Sequence, residues 1–280
     1  MDRRHDEETN LRHYPGGGLL PAGNVFETGV GYYWGIHGTR DFMRAKYGYL
    51  TALLEFDTDV AVAKALDEAL DYIRLNISDS VGVRAHASAL YLRLGRIQEC
   101  YDFIKGCAKQ YAEGSNDEEE PRRHLKVRDA DLTEPVDIFP EFYSLPHLSA
   151  LTFIKFHVAQ ALMDIANSQE ASANLPAAVE DTVTAFLPFC ELAAASPNPK
   201  ELQKRVAAQA KEAFKKAHMH NKYFWADNLD PTVVMRQPNP PYISDDTVDE
   251  VRSCLGYIFS LWHSSPGALE FVRRNLSESQ

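Results

Sequence analysis

Val81 to Cys107 reads VGVRAHASALYLRLGRIQECYDFIKGC, and the spacing of its apolar residues decides the fold. Val83, Ala87, Leu90 and Leu94 recur at helical intervals and so share one face of a helix. Past Gly95, Ile97, Cys100, Tyr101, Ile104, Cys107 and Tyr111 repeat the pattern. Two amphipathic stripes on either side of Leu94-Gly95-Arg96 make a helical hairpin, with Gly95 ending the first helix at a positive φ.

Upstream, Arg40 to Phe56 carries Phe42, Tyr49, Leu53 and Phe56 on one side and Met43, Tyr47, Leu50 and Leu54 on another, as a helix buried between neighbours does. Asp57-Thr58-Asp59 breaks it and caps the next helix, whose stripe is Val62, Ala65, Leu66, Ala69, Leu70 and Ile73. Hairpins over about 40–75 and 80–112 therefore stand in tandem, with Asp79 as an N-cap between them. Downstream, the acidic run Asp117 to Glu120 and the prolines 135, 140 and 146 predict a loop insertion over 113–146. Its second half, VDIFPEFYSLP, is apolar enough to pack on the body.

Helical patterning resumes at 147–167, where Leu151, Ile154, Val158, Leu162 and Ile165 align, and at 176–195, with Pro188 as a kink. Asn198-Pro199-Lys200-Glu201 is a full start signal for a helix to about Ala217. Two more follow, Val248 to Trp262 and Ser265 to Leu276. No strand-period pattern of useful length occurs, so the chain is expected to be all-α.

Residues 1–38 are expected to form a mostly irregular N-terminal arm, because charge gives way to Pro15-Gly16-Gly17-Gly18 and Pro21-Ala22-Gly23. In GVGYYWGIHGTRDFM, glycines alternate with Tyr32, Tyr33 and Trp34, and the rings are expected to pack over the end of the helical stack. The remainder, 39–280, reads as one helical domain containing the insertion.

The formal net charge of −11 disfavours a nucleic-acid partner, since only Arg122 to Lys126 and Lys215-Lys216 are locally basic. The polar N-terminus resembles no signal peptide, and no apolar run reaches the ~18 residues of a membrane span. Cys100, Cys107, Cys190 and Cys254 sit far apart at apolar helical positions, as buried free thiols of a reducing compartment do. A cytoplasmic or nuclear protein with no membrane partner is expected.

The hairpin resembles the tetratricopeptide pattern: Gly95 stands at the Leu-Gly turn, Cys100 at the small position, Ile104 and Cys107 at the following apolar and small positions. That resemblance implies stacked antiparallel helix pairs wound into a right-handed superhelix. GTRDFMRAKY, LNISDSVGVR with LYLRLGRIQECYDFIK, and PPYISDDTVDEVRSCLGYIFSLWHSSPGALEFVR together resemble a group of fungal proteins with tetratricopeptide-like helices. Some of those carry a MYND zinc finger, which this chain lacks, and the likeness transfers no catalytic residue. It also implies an inner face at Gly82, Ala85, Ala89, Leu92 and Arg93. A lone Arg93 does not make the cationic clamp that grips an acidic peptide, so this face is expected to pack on a helix or to meet an apolar partner.

Catalytic and cofactor motifs are not evident. Gly29-x-Gly31 and Gly35-x-x-Gly38 lack the strand and lysine of a phosphate loop. His218 and His220 are two apart and point to different sides of a helix, so no metal site is expected there. The most site-like cluster is His37, Arg40 and Asp41, where Arg and Asp could orient an anion or a carbonyl; Tyr242, Trp262 and His263 could complete such a pocket. The plainer reading makes Thr39 and Asp41 a helix start. The expectation is a protein-protein interaction scaffold without cofactor; the alternative is an enzyme or small-molecule binder using the His37 cluster.

Overall fold

In the computed structural model, the described residues are 3–13, 20, 23–56, 58–79, 81–112, 127–140, 143–172, 189–238 and 243–278. They are 74% helical with no strand, so the chain is all-α. It divides into two units, Met1–Val127 and Arg128–Gln280, and the boundary falls inside the expected insertion.

The first unit holds α1 (Arg3–His13), α2 (Val25–Thr28), α3 (Arg40–Leu54), α4 (Asp59–Leu75), α5 (Val83–Arg93) and α6 (Ile97–Ala112). Helices α3 to α6 pack each on the next, and α1 lies on α3. The α5–α6 turn closes as the sequence predicts: Gly95 has φ 68°, its N–H reaches Leu92 O at 3.0 Å, and Arg96 N reaches Tyr91 O at 2.9 Å. Those two bonds satisfy carbonyls that a helix end leaves orphaned. Asp79 caps α5 from outside the helix, taking Val83 N at 2.7 Å and Arg84 N at 2.9 Å on its two oxygens. Thr58 Oγ1 accepts from Ala61 N at the start of α4.

Helix α5 is buried almost all round, from Val83 through His86 to Leu92. The small side chains Ala87, Ser88 and Ala89 let α4 and α6 approach closely. Cys100 on α6 fits against them, its Sγ donating to Ser88 O at 3.3 Å. On the expected inner face Ala89 and Leu92 are buried, Ala85 and Arg93 half-buried and Gly82 exposed. The packed helix pairs agree with expectation; a tetratricopeptide superhelix is not shown.

The N-terminal arm departs from expectation, because α1 is a regular helix. Its only buried residue is Leu11, so no apolar stripe announces it. Charge holds it instead: Arg4 Nη1 lies 2.7 Å from Glu68 Oε1, and the Arg4 and Arg12 guanidinium groups sit 4.7 Å and 4.3 Å from the Tyr49 and Phe26 ring centres. The glycine-aromatic stretch is stitched to the end of α4 by Gly31 N and Tyr33 N, which both donate to Leu75 O. Gly31 has φ 95°, and a Cβ there would meet Ile77 Cδ1 at 3.1 Å. Tyr33 is fully buried against Phe26 and Phe42.

The second unit holds α7 (Leu145–Ser172), α8 (Cys190–Ala194), α9 (Pro199–His220), α10 (Phe224–Leu229), α11 (Val248–Ser264) and α12 (Ala268–Glu278). Helices α7 and α9 form its main packed pair. The α9 start signal acts as read: Asn198 Oδ1 accepts from Glu201 N at 3.2 Å, with Pro199 in the first turn. By length and composition α7 could cross a membrane, but 78% of that window is buried inside the chain, as in a core helix.

Around α7 and α9 an aromatic core forms: Trp225 stacks on Phe214 at 4.5 Å, and Trp262 meets Trp225 edge-on at 5.1 Å. Each indole N–H is satisfied, Trp225 by Phe214 O and Trp262 by Ser149 Oγ. The short α10 that supplies Trp225 is an element the periodicity does not reveal.

The apolar end of the insertion packs as expected, with Leu132, Val136, Phe139 and Tyr143 buried. Lys155, fully buried on α7, donates to Leu132 O and Glu134 O, both at 2.7 Å, and to Gln209 Oε1 at 2.9 Å. Gln209 in turn donates to Thr133 O at 2.8 Å. This knot sews the segment onto both helices and uses all three ammonium hydrogens. The acidic half of the insertion and most of the helix expected at 176–195 lie outside the described residues. Cys100, Cys107 and Cys254 are buried and outside any disulfide.

Candidate functional site

His37, Arg40 and Asp41 are close in the chain but serve the start of α3 separately. His37 is exposed on a 3-10 turn over His37–Thr39. Arg40 Nε donates to Trp34 O at 2.9 Å, and the exposed Asp41 pairs with Arg44 at 2.8 Å. Thr39 is buried, with its hydroxyl donating to Tyr33 O and Ile36 O, so it pins the preceding loop and does not cap the helix. Arg93 is half-buried in the last turn of α5. In the second unit Trp262 is core, and His263 Nε2 bonds Asn228 O at 2.8 Å. Tyr242 lies outside the described residues.

Two concave sites stand out among the described residues. In the first unit a cleft of about 350 Å³ is walled by α1, α3 and α4. Lys46 lies at its floor, 2.5 Å from Glu68 Oε2 and 2.9 Å from Asp71 Oδ2. Glu68 also binds Arg4 and Lys64, while Asp71 binds Arg74 and Glu8 binds Arg12. Burial pushes the Glu68 carboxyl up, but Lys46, then Lys64 and Arg4, outweigh it and leave its pKa below the ordinary value. Asp71 is held low by Lys46 and Arg74 against the same burial. Beside them, burial pushes the Tyr33 phenol up to about 12. Each cation here has a carboxylate, so the cleft cross-links α1 to α3 and α4.

The second site is apolar. Phe156, Ala159 and Met163 of α7, Ala207 and Ala210 of α9, and Phe271 of α12 line a groove of about 300 Å³. It exists because α9 presents the alanines Ala207 and Ala210 beside the Phe156–Phe271 ring pair, 5.1 Å centre to centre, where longer side chains would fill it. Gly267, at φ 76°, brings the start of α12 against α7; a Cβ there would lie 3.8 Å from Phe156 Cζ. His157 Nε2 and Ser265 Oγ, 2.7 Å apart, fix the same turn, and burial holds the His157 imidazole below its ordinary pKa. Met163 is 42% exposed in the groove. Lys211 and Arg274 stand exposed beside it, as does Glu270. A concave surface with apolar walls and a charged rim suits apolar groups better than it suits bond-making chemistry.

No protein-family model matches the chain, and neither a curated protein nor a solved structure matches it significantly.

Proposed function

We propose that the chain is a non-enzymatic protein-protein interaction module built from helix pairs, tetratricopeptide-like at the α5–α6 hairpin, and that the α7–α9–α12 groove receives apolar side chains of a partner. The observation that carries this reading is the groove itself, with Met163 exposed in it and Lys211 and Arg274 at its edge. A partner segment whose apolar residues are flanked by polar ones complements its apolar walls and mixed-charge rim. The partly covered inner face of α5 supports the choice, since its apolar positions Ala89 and Leu92 are already buried within the chain.

Affinity purification from the native host tests this with two variants at exposed apolar positions, Met163→Glu in the groove and Val60→Glu in the first unit, where Val60 is 81% exposed. Partners lost with Met163→Glu and kept with Val60→Glu are expected. Recovery of the same partners with both variants overturns the assignment of the groove.

A further inference from the structure

The end of α9 and the start of α11 bring together three side chains of metal-ligating type. His220 closes α9, Glu250 lies in the first turn of α11, and Asp245 is on the exposed stretch before it. One nitrogen and two carboxylate oxygens, one from each residue, all lie within 4.8 Å of one another. His220 and Glu250 are buried, whereas Asp245 is open to solvent.

The cluster is well supported from behind. Glu250 Oε2 accepts from Asn221 Nδ2 at 2.8 Å and from Asp246 N at 3.0 Å, which leaves Oε1 directed at His220 Nε2, 2.7 Å away. Asn221 Nδ2 also donates to Thr247 O at 2.9 Å, and Thr247 bonds Ser244 O and Glu250 N. With Oε2 held from behind, Oε1 is oriented towards the ring, as outer partners orient a metal ligand. No protein group among the described residues bonds His220 Nδ1. The ring proton can therefore sit on Nδ1, turning the Nε2 lone pair towards the carboxylates without breaking a second bond.

Electrostatics favour a cation at the same place. Asp245, Asp246, Asp249 and Glu250 fall within six residues of the chain. Binding an ion there displaces the proton shared between His220 Nε2 and Glu250 Oε1. Ligands about 2 Å from a tetrahedral ion are about 3.3 Å from each other. A small opening of the His220–Glu250 contact and an inward swing of Asp245 reach that spacing. One imidazole and two carboxylates form a donor set that zinc accepts, with water in the fourth position.

We propose that His220, Asp245 and Glu250 bind a divalent transition-metal ion, zinc being the ion their donor set suits best, and that the ion pins the stretch before α11 to the end of α9. The full-length chain, stripped with a chelator, is titrated with zinc in competition with a chromophoric chelator, and its melting temperature is followed. One equivalent bound at micromolar affinity or tighter, with a raised melting temperature, is expected. Asp245→Ala should weaken binding by about tenfold or more, and because Asp245 is exposed the metal-free variant should melt with the wild type. His220→Gln should abolish the cobalt absorption bands of a four-coordinate site that the wild type shows. Absence of micromolar binding by the wild type, or equal zinc affinity in the Asp245→Ala chain, overturns the proposal.

Discussion

Lys46 Nζ lies 2.5 Å from Glu68 Oε2, with both side chains only 4% exposed. Removing one partner of such a pair leaves the other charge buried without its main counter-ion, which costs about 3–5 kcal/mol. Lys46→Met is therefore expected to lower unfolding stability by that amount in urea titration. Lys64→Met is the control, because Lys64 is half exposed and bonds the same Glu68 at 3.2 Å. Its cost should stay below about 1 kcal/mol.

Helix α1 should respond to salt. Its attachment rests on Arg4 against Glu68 and Tyr49, Arg12 against Phe26, and the single buried apolar residue Leu11. At about 1 M salt the Debye length falls to about 3 Å. Amide hydrogen exchange should then speed up in residues 3–13 while α4 and α5 keep their protection. Equal protection of α1 at low and high salt would refute this.

His86 gives the first unit a pH dependence of predictable sign. Burial holds its imidazole near pKa about 4, against about 6.5 in an unfolded chain. Between those values the unfolded state binds more protons, so stability is full above about pH 6.5 and falls as the pH drops towards 4. The loss is on the order of 3 kcal/mol over that window. His86→Leu should flatten this part of the stability profile, measured by urea unfolding at a series of pH values.

Gly95 tests the turn that organises the α5–α6 hairpin. A Cβ at this position meets nothing within 4 Å, so any cost comes from its φ of 68° alone. Gly95→Val should destabilise by about 1–3 kcal/mol. Gly95→Asn, which tolerates the left-handed region, should cost less than the valine.

The α5–α6 hairpin, the Thr58 and Asn198 caps and the apolar packing of 132–143 could be read from sequence because each is written in adjacent residues. Helix α1 could not, since an ion pair from Arg4 to Glu68, 64 positions away, holds it and one leucine is all it buries. At the His37, Arg40 and Asp41 cluster, Arg40 bonds Trp34 O and Asp41 pairs with Arg44, contacts that sequence proximity alone does not specify. The groove is invisible in one dimension because its walls come from α7, α9 and α12. His220 meets Glu250 across thirty positions, and the acidic run from Asp245 to Glu250 is the only local trace of that meeting.

The buried ammonium of Lys155 has a consequence for synthesis. Two of its acceptors precede it in the chain, but Gln209 is 54 residues later, so at about 5–20 residues per second the ribosome takes about 3–10 s to supply the third. During that interval α7, apolar enough to enter a bilayer, lacks its principal packing partner α9. The nascent chain thus presents a long apolar helix whose main packing face stays uncovered until α9 emerges.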